Sequence, residues 1–137
     1  LMNDKIKKIF HFARFDLAAI QKHMGIFCHN IYCTKIASKL VRTYTDRHGL
    51  KELCKELINI DISKQKQSSD WGDEHLSDEQ LKYAASDVLY LHKLKYELDI
   101  VLKRENRQEL AETLFRFIGT KAYLDLNGWH EPDIFNH

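Results

Sequence analysis

The stretch 76–104, LSDEQLKYAASDVLYLHKLKYELDIVLKR, constrains the chain most, because it predicts one long helix with a carboxylate on its apolar face. Ser77 and Gln80 have the spacing of a capping box, which marks where such a helix begins. At about 100° per residue, apolar side chains recur along one side of the helix: Ala84, Leu91, Leu94, Leu98 and Val101. Asp87 falls in the middle of that stripe, with Tyr83 one turn before it.

A carboxylate among leucines needs a partner, since burying an ionised group without one is costly. The residues alone leave the partner open. Asp87 can cap a neighbouring helix, pair with a buried Arg or Lys, or bind a metal ion. The pattern therefore predicts a polar site at Asp87, and its chemistry has to come from the rest of the chain.

The rest of the chain alternates short apolar runs with amphipathic stretches. The runs 9–12 (IFHF) and 30–33 (NIYC) predict strands. The amphipathic stretches predict helices at 13–24, 35–41, 50–58 and 106–117, followed by an irregular tail. Gly25 is expected to end the first of these helices, and Thr34 to cap the second.

The predicted helix 13–24 carries a second candidate carboxylate, Asp16, in its first turn. Its core-facing side chains are expected to be Ala13, Leu17, Ile20 and Met24. Asp16 can simply complement the helix dipole. Alternatively, the preceding strand delivers Asp16 to the carboxyl edge of a sheet, where open α/β sheets bind ligands. Both interpretations remain open on the sequence.

Composition narrows the class of protein. With 137 residues, 44% hydrophobic and 30% charged, the chain suits one domain, 1–137. No apolar run approaches the roughly 18 residues that span a bilayer, and no signal-peptide pattern is present, so a cytoplasmic protein is expected. Cys28, Cys33 and Cys54 are odd in number and lack a CxxC pair. Cys28, His29 and Cys33 also lack the usual zinc spacing, so buried free thiols are expected.

Two features suggest contact with nucleic acid, and each has a simpler alternative. Residues 1–66 carry 13 Lys and Arg against 6 Asp and Glu, whereas residues 67–137 carry 8 against 14. Positive side chains concentrate at Lys35, Lys39, Arg42, Arg47 and Lys51. Such a run either contacts phosphate or is solvated at the surface. Trp71, in the polar stretch 61–75, either stacks on a base or packs onto the core.

Taken in order, these motifs resemble those of an enzyme family. HFARFD at 11–16 resembles the second motif of the DEDD 3′–5′ exonucleases, and YAASD at 83–87 resembles the third motif in its tyrosine form. Between them, Lys64, Gln67 and SDW at 69–71 resemble a stretch typical of ribonuclease D. The chain is therefore similar to the ribonuclease D-like DEDDy exonucleases of the ribonuclease H-like superfamily.

The resemblance implies an α/β fold of the ribonuclease H-like 3′–5′ exonuclease type and two-metal hydrolysis by Mg²⁺ or Mn²⁺. It implies that Asp16 and Asp87 bind the metals and that Tyr83 orients the attacking water. It also implies that several side chains lie near the substrate strand: His11, Phe15, Lys64, Gln67 and Trp71. The implied substrate is a single-stranded RNA 3′ end, with a tRNA precursor or DNA left open.

One part of the family pattern is not found. The first motif, Asp-x-Glu on the first strand, supplies the other two acidic ligands, and only Asp4 precedes the second motif. We therefore expect an amino-terminally truncated fold, predominantly helical with about two strands. Its uncovered faces favour a homo-oligomer or a missing amino-terminal half. Weak or absent activity is expected, because fewer carboxylates offset the charge of two ions.

Two other classes of function remain open. In the first, the chain is a non-catalytic nucleic-acid-binding or interaction remnant that uses the basic region 35–66. In the second, it is a structural domain in which Arg14 pairs with Asp87. Convergence of Asp16 and Asp87 with Tyr83 would favour the enzyme over both.

Overall fold

The computed structural model describes residues 3, 5–62 and 78–136, with the backbone only for Phe15 and residues 78–88. Within those residues the chain is mostly helical, with two short strands, as the sequence predicted. The elements in order are β1 (Lys8–Phe10), α1 (Ala13–Met24), β2 (Ile31–Cys33), α2 (Thr34–Val41), α3 (Leu50–Leu57), α4 (Asp78–Arg104) and α5 (Gln108–Leu126). None of the described helices is long and apolar enough to cross a membrane.

The two strands form a parallel pair, with Lys8 opposite Ile31 and Phe10 opposite Cys33. Helix α1 connects them, so the carboxyl ends of both strands meet at one edge. The predicted first strand, 9–12, extends two residues too far along the chain. The strand ends at Phe10, and Phe12 has left-handed backbone angles, φ 64° and ψ 53°, far from the extended values of a strand.

The core is built from buried side chains of all five described helices and of β2. Leu94 and Leu98 of α4 are fully buried, which confirms the central part of the predicted stripe. Leu102 is buried one turn further on, whereas Val101 is only partly buried. The Tyr32 ring of β2 packs on Phe115 of α5, with ring centroids 4.6 Å apart. The long helix is therefore fixed in the core by its second half.

Helix α1 has the predicted bounds and is ended by Gly25, whose left-handed backbone lets its N–H bond the Gln21 carbonyl. Ala13 and Leu17 are buried as expected. Met24 is predicted to lie in the core but is 60% exposed, and residues 22–25 are exposed as a group. The core face of α1 thus stops a turn before its end.

The prediction that Thr34 caps a helix is wrong. Thr34 is the first residue of α2, preceded by Cys33 at the N-cap, which makes no side-chain cap hydrogen bond. The Thr34 side chain is buried, and its hydroxyl donates to the Phe10 carbonyl at 3.2 Å. This hydrogen bond therefore joins the end of β1 to the first residue of α2.

The carboxyl-terminal helix is longer than the predicted range 106–117, and less of the chain forms the irregular tail. Helix α5 runs on to Leu126, since Ile118 and Ala122 continue its buried face. It packs along α1, and the Gln21 side chain donates to the Gly119 carbonyl at 3.1 Å. A partner helix that is distant along the chain supports these last turns.

Candidate functional site

The carboxyl edge of the sheet gathers the described residues of the candidate site. Strand β1 leads through His11 and Phe12 into α1, which carries Asp16 in its first turn. Strand β2 leads directly into α2, which carries Lys35 in its first turn. The first amide of α1, that of Ala13, donates to the Cys33 sulfur at 3.3 Å, which ties the two strand ends together.

Asp16 lies at this edge as a partly buried carboxylate. Burial raises the pKa of Asp16 above its usual value, because removing the carboxylate from water disfavours the charged form. Among the described side chains Asp16 has no ion-pair partner. A bound cation would offset the cost of keeping this carboxylate charged. A carboxylate that only complements a helix dipole would not need such a cation.

His11 links the end of β1 to its neighbours instead of pointing freely outward. Its Nδ1 lies 2.8 Å from the Thr34 hydroxyl oxygen. Burial, with the positive charge of Lys35 second, lowers the pKa of His11 to about 4. His11 is therefore neutral near pH 7, and a contact with substrate would not be an ionic one.

Helix α4 carries the other two residues of the predicted catalytic set. Tyr83 and Asp87 lie one turn apart on its backbone, but their side chains are outside the described part, as is that of Phe15. Lys64, Gln67, Trp71 and the capping residue Ser77 lie outside the described residues altogether. Their predicted roles and the approach of Asp16 to Asp87 remain predictions.

The later part of α4 is positioned by a polar link to the sheet. The Tyr32 hydroxyl donates to Asp99 at 2.9 Å, and Lys95 Nζ lies 2.6 Å from the same carboxylate. Lys95 also lies over the Tyr32 ring, 5.1 Å from its centroid. These contacts and the buried leucines of α4 fix the helix on which Asp87 is carried.

Arg14, a possible partner of Asp87 on the sequence, pairs with Asp125, and the Asp87 side chain lies outside the described part. The Arg14 guanidinium donates from Nε and Nη2 to the two oxygens of Asp125, at 2.6 and 2.8 Å. Lys121, also buried, lies 3.3 Å from Asp125 and 2.7 Å from Asp133. Helix α1, which carries the candidate metal ligand Asp16, is thus held by ion pairs to the carboxyl-terminal part of the chain.

Replacing Asp125 with asparagine is expected to lower the free energy of unfolding by about 1–3 kcal/mol at pH 7, since two charge-assisted hydrogen bonds are removed. The hydrogen bond from Arg14 lowers the pKa of Asp125 to about 2. A carboxylate with a lowered pKa stabilises the fold above its unfolded pKa and loses that contribution as pH falls toward 2. Urea unfolding at pH 7 and pH 2.5 measures this, and the destabilisation caused by the substitution should be smaller at pH 2.5 than at pH 7. Glu131→Gln, at an exposed site, is the control.

The predicted basic run is not a uniform surface. Arg42 is 5% exposed and binds both oxygens of Glu56, at 2.7 and 3.2 Å. Its Nη1 donates to the Ser38 hydroxyl and to the Arg47 carbonyl, at 3.1 and 2.6 Å. Arg42 is therefore neither solvated at the surface nor placed to contact phosphate. Lys39, Arg47 and Lys51 are exposed, which both interpretations of the run require.

The three cysteines, Cys28, Cys33 and Cys54, are buried, and none of them forms a disulfide within the part of the chain that the structure describes. This confirms the prediction of buried thiols. Among the described side chains, no three His, Cys, Asp or Glu lie close enough together to hold a metal ion. Asp87 is not among those side chains, so this finding does not test the predicted metal pair.

A parallel β-α-β unit with a carboxylate at its carboxyl edge, backed by a long helix, defines the protein as a mostly helical α/β domain. The model of the 3′–5′ exonuclease family matches residues 1–103. The chain belongs to the 3′–5′ exonuclease family.

Relatives and solved structures agree with this family. Ribonuclease D of Nitrobacter hamburgensis is 31% identical over 124 residues, which is 90% of this chain and 32% of that protein. Human exosome complex component 10 is 37% identical over 91 residues, 66% of this chain and 10% of that protein. These matches confirm the resemblance to ribonuclease D. The chain spans about a third or less of the curated relatives it matches.

NrnC of Brucella melitensis is similar over the whole chain. The two are 58% identical with a TM-score of 0.89, and the match covers 100% of this chain and 66% of that one. NrnC structures with bound Mg²⁺ and with bound pGG match in the same way, with TM-scores of 0.89 and 0.88.

Proposed function

We propose that this chain is a metal-dependent 3′–5′ exonuclease that acts on single-stranded RNA, and that residues 1–137 form one partial domain of that kind. The observation that carries the proposal is Asp16. In a chain of the exonuclease family, it is a partly buried carboxylate at the carboxyl edge of a parallel sheet, with no ion-pair partner among the described side chains. Perturbed carboxylates in such positions are typical of functional sites.

The donor chemistry of the proposed site fits a hard divalent cation. Asp16 and Asp87 offer carboxylate oxygens, the ligands that Mg²⁺ and Mn²⁺ prefer. Bound Mg²⁺ in the similar NrnC supports this choice of metal. We propose that Asp16 and Asp87 would hold the ions, and the chemistry that such ions supply when bound would be to lower the pKa of a water and to offset negative charge on the leaving group.

Tyr83 is proposed to orient the attacking water through its phenol hydroxyl. Its position one turn from Asp87 on α4 places both residues on one face of the helix. Holding a nucleophile in line with the bond it attacks lowers the entropic part of the barrier. Tyr83 would therefore align the water with the bond it attacks, while the carboxylates would hold the metal ions.

Five further residues are proposed to lie near the substrate strand: His11, Phe15, Lys64, Gln67 and Trp71. His11 is neutral near pH 7 and lies against Thr34. It would therefore contact the substrate through a hydrogen bond or through van der Waals packing. Lys64 would contact phosphate, and Trp71 would stack on a base.

The substrate is proposed to be a single-stranded RNA 3′ end. Similarity to ribonuclease D and to an exosome component supports RNA, and pGG bound to NrnC supports a short oligonucleotide. A tRNA precursor and single-stranded DNA are the competing substrates. The isolated chain is expected to cut weakly, because Asp16 and Asp87 account for only two of the four acids that the family's motifs supply.

The test is digestion of a 5′-labelled single-stranded RNA with Mn²⁺, beside DNA of the same sequence. We expect a ladder that shortens from the 3′ end, is faster on RNA, and is lost in EDTA and in Asp87→Asn. A ladder that persists in Asp87→Asn would exclude this site as its source. If neither protein cuts and both bind the RNA equally, the isolated chain is a nucleic-acid-binding remnant.

A further inference from the structure

Phe12 lies at the junction of β1 and α1, with φ 64° and ψ 53°, a backbone conformation that bulky residues rarely adopt. It is also 45% exposed, so burial of its side chain does not by itself account for the cost of that conformation. The junction thus holds an aromatic ring partly in solvent, one helical turn before Asp16.

A cation from the neighbouring helix lies over this ring. Lys35 Nζ is 4.0 Å from the centroid of the Phe12 ring. Lys39 follows one turn later on α2, so both lysines lie on one face of that helix. Neither lysine has a carboxylate partner within ion-pair distance among the described residues.

We propose that Phe12, Lys35 and Lys39 form a contact strip for the nucleotides that lie 5′ of the cleaved end. Phe12 stacks on a base, and the two lysines contact the phosphates that follow. This strip rests on the proposed function, because it places the scissile end at Asp16. Aromatic faces beside positive charges are the general means of holding a single strand without reading its sequence.

Charge complementarity selects the occupant. Two lysines without a carboxylate partner in the described part of the chain, beside a partly exposed ring, suit a single-stranded polyanion with flat bases. An acidic protein segment could also contact the lysines, but its carboxylates would not be attracted to the negative face of an aromatic ring. Weaker binding on removal of the ring therefore separates the two occupants.

The experiment measures binding of a fluorescent eight-nucleotide single-stranded RNA by anisotropy in EDTA, where no cutting occurs. Lys35→Glu/Lys39→Glu is expected to weaken binding at least tenfold. It should also reduce the slope of log K against log salt by about 0.7 for each phosphate that is no longer neutralised. Lys93→Glu/Lys103→Glu, on exposed positions of α4, is the matched control and should change binding less than twofold. Equal weakening in both double variants would overturn the strip.

Phe12→Asn separates a role of the ring in RNA binding from a role in folding. Asparagine tolerates the left-handed region, so thermal stability should stay the same or rise, while RNA binding falls about tenfold because the stacked ring is removed. Unchanged binding in this variant would contradict the proposal. Phe135→Asn, at another exposed ring, is the control.

The outcome is separable from that of the proposed function. Strip-dependent binding by a chain that never cuts in Mn²⁺ would support the strip and count against catalysis. Cutting that is insensitive to all three strip substitutions would support catalysis and overturn the strip.

Discussion

Replacing Asp16 with asparagine is expected to lower the rate of Mn²⁺-dependent RNA trimming about a thousandfold and to leave the chain folded. A metal site contributes several kcal/mol of charge stabilisation in the transition state, and about 4 kcal/mol corresponds to a factor of a thousand. The amide is close in shape to the carboxylate but carries no charge for a metal. Single-turnover rates on 5′-labelled RNA, relative to the unmodified chain, measure the effect.

Stability distinguishes this result from unfolding. The surroundings of Asp16 disfavour its charged form, as the raised pKa indicates, so the asparagine should not lower the melting temperature without metal. Added Mn²⁺ should raise the melting temperature of the unmodified chain and not that of the variant, because a ligand stabilises only the form that binds it. Asp46→Asn, at an exposed carboxylate, should behave as the unmodified chain. Full activity in Asp16→Asn would remove Asp16 from the site.

Arg42→Met is expected to lower the free energy of unfolding by about 3 kcal/mol, since it removes a buried guanidinium that donates hydrogen bonds to three partners. The Ser38 hydroxyl and the Arg47 carbonyl lose this donor, although the Ser38 hydroxyl oxygen keeps Nδ1 of buried His48 at 2.7 Å. Glu56 is 38% exposed and regains water, so its share of the destabilisation is smaller. Urea unfolding at pH 7 measures the change.

A double variant shows which partner of Arg42 accounts for the destabilisation. Arg42→Met/Glu56→Gln should recover only a small part of the stability, because Glu56 is partly exposed and the hydrogen bonds to the Ser38 hydroxyl and the Arg47 carbonyl stay lost. Arg104→Met, whose side chain is 68% exposed, should change stability by less than about 0.5 kcal/mol. A destabilisation at Arg42 no larger than that at Arg104 would show that the buried network contributes little.

Helix identity was predictable wherever a local pattern carried it. The bounds of α1 follow from an apolar period that begins at Ala13 and from a glycine that can adopt a positive φ at Gly25. Leu94 and Leu98 were predicted to be buried because a 3.6-residue period shows which side of α4 is apolar. The burial of the three cysteines followed from their number and spacing.

The candidate site was predictable as a set of residue types but not as contacts. HFARFD identified Asp16, and the structure places it at the carboxyl edge of the parallel sheet, as the strand–helix interpretation expected. No local pattern indicates that Phe12 takes a left-handed conformation or that Lys35 lies over its ring. Both depend on how β1 and β2 deliver two helices to one edge.

Two of the predictions that failed, at Arg42 and at the end of α5, depend on residues outside the local pattern. Nothing near Arg42 shows that Glu56 and the Arg47 carbonyl will enclose it, and nothing in the last residues shows that α1 will support α5 to Leu126. The sequence by itself determined where the helices begin to within two residues, which motifs the chain carries and the family they belong to, because periodicity and motifs are local. Only the tertiary structure decided which charges are buried, because burial depends on what packs against a residue.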